Sequence, residues 1–147
     1  MTSKSTNLER FIEAHEEAYP KVLTELKQGT KQTHWMWFIF PQIRGLGRSS
    51  TAQFYGLDNK AEARAYLEHP VLGERLRTCT RAILRHAQTL KAADILGEID
   101  ACKLRSCMTL FSQVAPEEEL WSNALRAFFL GRADPLTLNL LATSPTA

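Results

Sequence analysis

Apolar residues recur three and four apart along most of the chain, with polar residues between them. That spacing predicts helices with one buried stripe each. Leu8, Phe11, Ile12, Ala18, Tyr19, Val22, Leu23 and Leu26 form the first stripe. Asn7 is placed to cap it and Gly29 to stop it. Pro20 interrupts it: inside a helix, proline removes a hydrogen bond and clashes one turn back, at about 3 kcal/mol. A kink, or a second helix starting at Pro20, is expected. The aromatic run from Lys31 to Phe40 suits either a buried strand or a helix. Its helical neighbours, and the shared face of His34, Trp37, Phe38 and Pro41, favour a short helix ending before Pro41.

Residues 42–48 read as a loop, after which Ser49 or Ser50 caps a short helix through Tyr55. Asn59 with Glu62 resembles a capping box and opens a helix carrying Ala61, Ala65, Tyr66 and Leu67. His69-Pro70 ends it. Leu72, Leu76, Cys79, Ile83, Leu84 and Ala87 mark the next stripe. A helical turn follows over 92–97, then a helix capped by Asp100 with Leu104, Met108, Phe111 and Val114 inward. Pro116 and the acids Glu117, Glu118 and Glu119 suit a helix start. Leu120, Trp121, Ala124, Leu125, Phe128 and Phe129 make its buried face, and Gly131 its stop. Asp134-Pro135 starts a last helix through Leu141. No alternating strand pattern appears. The fold class expected is all-α: one compact domain of short to medium helices over residues 7–142, between flexible tails at 1–6 and 143–147.

Composition narrows the function classes. A chain of 147 residues is one domain by size and buries about 70% of its unfolded surface. Its net charge of +2 is too mild for the basic stripe of a duplex binder, so nucleic acid is not an expected partner. Cys79, Cys102 and Cys107 are odd in number with no C-x-x-C pair. That disfavours a disulfide framework or zinc module and fits reduced, cytoplasmic thiols. The polar start does not read as a leader peptide, so none is expected. The longest apolar run, Trp35 to Pro41, is far below the roughly 18 residues of a membrane span.

The densest chemistry lies between His34 and Ser50. Trp35, Trp37 and Phe40 could form a stacking floor, although large rings are usually there to be buried. Gln42 could read a ligand's polar edge or pin the loop. Gly47, Arg48, Ser49 and Ser50 resemble an anion-binding rim of backbone amides, hydroxyls and a guanidinium fork. The spacing is neither a Walker loop nor a dinucleotide fingerprint, and a plain turn with a capping serine is the alternative. Lys103 and Ser106, three apart on one helix face, could close the site from the opposite side or simply be solvated. His34 is the one credible general acid or base. Cys107 is a poor nucleophile if buried, because the thiolate is the reactive form. Arg77, Arg81 and Arg85 make an i, i+4 row that fits a solvated face better than a nucleic-acid stripe. Glu13, Glu16 and Glu17 beside His15 suggest no metal site.

The piece His34-Trp35-Met36-Trp37-Phe38-Ile39-Phe40-Pro41-Gln42, followed by Gly45-Leu46-Gly47-Arg48-Ser49, resembles a bacterial family of uncharacterised proteins, domain of unknown function 1810. Further matching pieces are His69-Pro70, Lys103-Leu104, Thr109-Leu110-Phe111 and Gly131 with Asp134, so the likeness runs roughly from Phe11 to Leu141. It implies a compact, all-helical domain akin to helical-superhelix folds, and no established activity. The label calpastatin carried by some members does not fit, since such inhibitors are long, disordered and repetitive. Where the resemblance implies a second serine after Ser106 this chain has Cys107, and where it implies glutamine it has His15.

The expected function is therefore a small-ligand domain for a nucleotide-like or phosphorylated metabolite, with catalysis and cofactor left open. The alternative is a protein-interaction module or homo-oligomer whose aromatic run is structural core.

Overall fold

The computed structural model describes residues 8–143, and among these the secondary structure is nine helices and an isolated bridge. They are α1 (Glu9–Gln28), α2 (Met36–Ile39), α3 (Ser50–Tyr55), α4 (Lys60–Glu68), α5 (Leu72–Leu84), α6 (Ala92–Leu96), α7 (Glu98–Val114), α8 (Glu119–Phe129) and α9 (Pro135–Thr143). The all-α expectation holds. The expected tails, apart from Thr143, and the expected cap Asn7 lie outside the described residues.

The centre is α7, which packs against α4, α6, α8 and α9. It is buried on nearly every side: Ala101, Leu104, Cys107, Met108, Leu110, Phe111 and Val114 all lie inside. The buried Thr109 hydroxyl donates to the Arg105 carbonyl one turn back, and the buried Ser106 hydroxyl shares its proton between the Cys102 carbonyl and Asp134 Oδ2, so neither adds an unpaired polar group to the core. α1 lies along α5, and α5 joins α4 and α8.

One expectation narrows and another changes. No second helix begins at Pro20; α1 runs through it. Pro20 faces solvent, while Phe11, His15, Val22 and Leu26 on the other face are buried, and burial of that stripe outweighs one lost hydrogen bond. Asp100 is not a cap either. α7 starts two residues earlier, and the carboxylate is taken up by Lys31 and Lys103 at 2.9 and 3.2 Å.

Several signals are realised. Ser49 Oγ accepts the Ala52 amide. Asn59 Oδ1 accepts the Glu62 amide, and Glu62 answers one residue earlier than a standard capping box, at Asp58 N. Asp134 caps α9 by accepting Thr137 N at 3.0 Å.

Candidate functional site

The aromatic segment is anchored before it can offer anything to a ligand. Glu25, buried near the end of α1, accepts from Gln32 N (2.8 Å), Thr33 N (3.1 Å), Thr33 Oγ1 (2.7 Å) and Trp35 Nε1 (2.8 Å). Burial opposes its charge, but these donors prevail and hold its pKa near 2. At the other end of α2, the Phe38 carbonyl accepts from His15 Nε2 (2.8 Å) and Tyr66 Oη (3.1 Å). Nε2 must donate there, so the neutral His15 ring is the Nε2–H tautomer. Burial lowers its pKa to about 4, against the smaller raising effect of that bond.

These anchors separate the two indoles. Trp35 is 1% exposed and tilts against the equally buried Phe40; both rings are core. Trp37 is half-buried, and Lys103 Nζ lies 4.2 Å from its ring centroid. Asp100 steadies this ammonium from the side. Although burial opposes its ionisation, Lys31 and Lys103 keep the Asp100 carboxyl below its usual range. Of the residues expected opposite the floor, Lys103 therefore reaches it. Ser106 does not: its hydroxyl donates to Asp134 Oδ2 at 3.1 Å and ties α7 to the start of α9.

The glycine loop folds inward. Leu57 N donates to Gln42 O (2.9 Å) and Arg44 N to Leu57 O (2.7 Å), closing the loop at its neck. Gly45 has φ +113°, which a side chain would strain. A Cβ at Gly47 would come within 2.6 Å of Ala52 Cβ, so the loop lies directly on α3. The recess shared by Trp37, Gln42 and Gly47 encloses only about 10 Å³, room for one water at most. Arg48 is exposed, and its carbonyl accepts Gln53 Nε2. Ser49 Oγ is used as the α3 cap. The structure thus does not gather Gly47, Arg48 and Ser49 with the indoles around a ligand-sized hollow.

The usable space is on the other side of Trp37. An open groove of about 570 Å³ is lined by His34, Trp37, Phe38, Ser50, Thr51, Phe54 and Tyr55. It shares His34, Phe38 and Tyr55 with a second, of about 460 Å³, that continues along α1 past Glu17 and Lys21. Phe38 and Tyr55 pack with centroids 5.5 Å apart, and Phe54 meets Tyr55 edge-on at 4.8 Å. Phe54 is 54% exposed. Arg10 holds α3 in place from α1: its Nε and Nη2 donate to the Phe54 and Gly56 carbonyls, and Nη1 pairs with the buried Glu62.

Sequence reasoning found His34, Trp37 and Ser50 but missed Phe38, Thr51, Phe54 and Tyr55. Phe38 was legible as part of the aromatic run. The others sit on a six-residue helix, too short to display a stripe. Among the described residues, no hydrogen bond orients the His34 ring, and no group of His, Cys, Asp and Glu could hold a metal. Burial pushes the Cys107 thiol well above its usual range, which keeps it protonated. No described helix is long and apolar enough to cross a membrane.

No curated protein matches the chain significantly. It is similar to the conserved hypothetical protein Rv1873 from Mycobacterium tuberculosis, whose crystal structure matches it with a TM-score of 0.91 at 40% identity. The match covers 94% of this chain and 98% of that one. The signature around Trp35 and Trp37, the helical architecture and a family model spanning residues 5–141 agree: the chain belongs to the DUF1810 family of proteins of unknown function.

Proposed function

We propose that the open groove beside Trp37 binds the planar ring of a nucleotide-like or phosphorylated metabolite. One observation carries this reading: His34, Trp37, Phe38 and Tyr55 border one space of about 570 Å³, together with the hydroxyl-bearing Ser50 and Thr51. That volume is within the range of small-molecule sites. Stacking of a base on such rings contributes about 1–3 kcal/mol. Lys103, over the Trp37 ring, and Lys31 share the single carboxylate of Asp100, and that excess of one positive charge favours an anionic ligand.

Trp35 and Trp121 are fully buried, so ligand-induced quenching of tryptophan fluorescence would report on Trp37. Titration with nucleoside mono- and diphosphates and NAD-derived metabolites is expected to quench emission. Trp37→Leu is expected to abolish the quench and weaken binding about tenfold or more. Neither quenching nor a thermal shift across that panel would remove this reading.

The exposure of Phe54 favours a second reading, in which a partner protein or second copy covers the groove. Phe54→Ala would then change the mass measured by light scattering while leaving the metabolite titrations flat.

A further inference from the structure

We propose that the groove between the last turns of α1 and α5 is a separate site for a phosphate monoester carried on an apolar body. It encloses about 290 Å³ and is lined by Leu23, Lys27, Thr78, Arg81, Ala82 and Arg85. Three of these six are cations and none is an acid. Lys27, Arg81 and Arg85 are exposed and make no hydrogen bond or ion pair among the described residues. Five other cations, Arg10, Lys31, Arg44, Arg77 and Lys103, each face a carboxylate, and Arg105 is held by two carbonyls.

Helix ends explain part of this charge. Lys27 lies in the last turn of α1, and Arg81 in the last turn of α5 with Arg85 at its cap, where the macrodipole favours cations. Each helix end supplies only about half a negative charge, so two ends leave three unit charges with an excess of about +2. A phosphate monoester carries about −1.5 to −2 at neutral pH and three acceptor oxygens. Arg81 and Arg85 lie about 6 Å apart along the α5 axis, and Lys27 approaches from the other helix. Two guanidinium forks and an ammonium can therefore share one phosphoryl group. The Thr78 hydroxyl, hydrogen-bonded to the Tyr19 phenol, borders the same groove. Leu23 and Ala82 give the floor apolar surface that inorganic phosphate could not use, which is why the ligand class includes an apolar body.

The test is titration of the full chain with 1-naphthyl phosphate and, separately, with inorganic phosphate, followed by calorimetry and backbone amide NMR. The expected result is saturable naphthyl phosphate binding with shifts centred on residues 78–85, and inorganic phosphate about tenfold weaker. Arg81→Ala/Arg85→Ala, with its helix content checked by circular dichroism, should weaken naphthyl phosphate about tenfold or more. Trp37→Leu should leave the amide shifts at residues 78–85, and the affinity read from them, unchanged whatever happens at the aromatic groove, which separates the two sites. Absence of binding to the wild-type chain would overturn the proposal, as would equal affinity for the two phosphates or an unaffected double variant. Preferential binding of a single-stranded oligonucleotide through the same arginines would assign the groove to nucleic acid and overturn it too.

Discussion

The Trp35 indole donates its Nε1 hydrogen to the Glu25 carboxylate across 2.8 Å inside the protein. With four donors converging on one buried carboxylate, Glu25 organises the turn between α1 and α2 and assigns Trp35 to the interior. Glu25→Ala would leave several buried donors without an acceptor, and a loss of about 3 kcal/mol or more is expected. Trp35→Phe keeps most of the ring but leaves Glu25 one donor short, so about 1–2 kcal/mol is expected. Urea unfolding of the two variants checks both values. Equal stability of Glu25→Ala and the parent would exclude this anchoring role.

Acid should destabilise the protein in two stages. His15 is neutral in the fold with its pKa lowered from 6.5 to about 4. Its contribution is fully present above 6.5 and is lost progressively as pH falls from 6.5 to about 4, because the unfolded chain binds the proton first. Glu25 falls from 4.5 to about 2. Its contribution is present above 4.5 and declines as pH falls from 4.5 to about 2. Unfolding free energies measured between pH 7 and pH 3 check the order. His15→Gln is expected to flatten the upper stage and spare the lower.

The three thiols should react at very different rates. Cys102 is exposed, while Cys79 and Cys107 are buried. Burial pushes Cys79 up to about 12 and Cys107 well above its usual range. A chromogenic disulfide reagent at neutral pH should label one thiol rapidly and the other two only on unfolding. Cys102→Ser should remove the fast phase.

Asp134 joins two functions in one side chain. It caps α9 through Thr137 and accepts the Ser106 hydroxyl of α7, while its own amide donates to Thr109 Oγ1. Asp134→Ala should cost about 1–2 kcal/mol, more than an isolated cap usually contributes. Hydrogen exchange should show faster amides in α9. Ser106→Ala should be milder, because Asp134 keeps its Thr137 donors.

The sequence alone determined the helical class and most helix ends, because those rest on local chemistry. Spacing of apolar positions, the Ser49 and Asn59 caps, the Gly29 stop and the Asp134-Pro135 start all act within a few residues of themselves. It also singled out the tryptophan-rich segment. The tertiary structure decided which ring of that segment is available. Trp35 and Trp37 are two residues apart and chemically alike. They differ because Glu25 draws one indole inward, while Lys103, sixty-six positions downstream of Trp37, covers part of the other. Packing also turned Ser106 toward Asp134, pressed Gly47 onto Ala52 and brought Tyr55 beside Phe38. Such pairings depend on which helices meet and at what angle. That geometry is set by burial of the whole core and leaves no mark in the spacing of neighbouring residues.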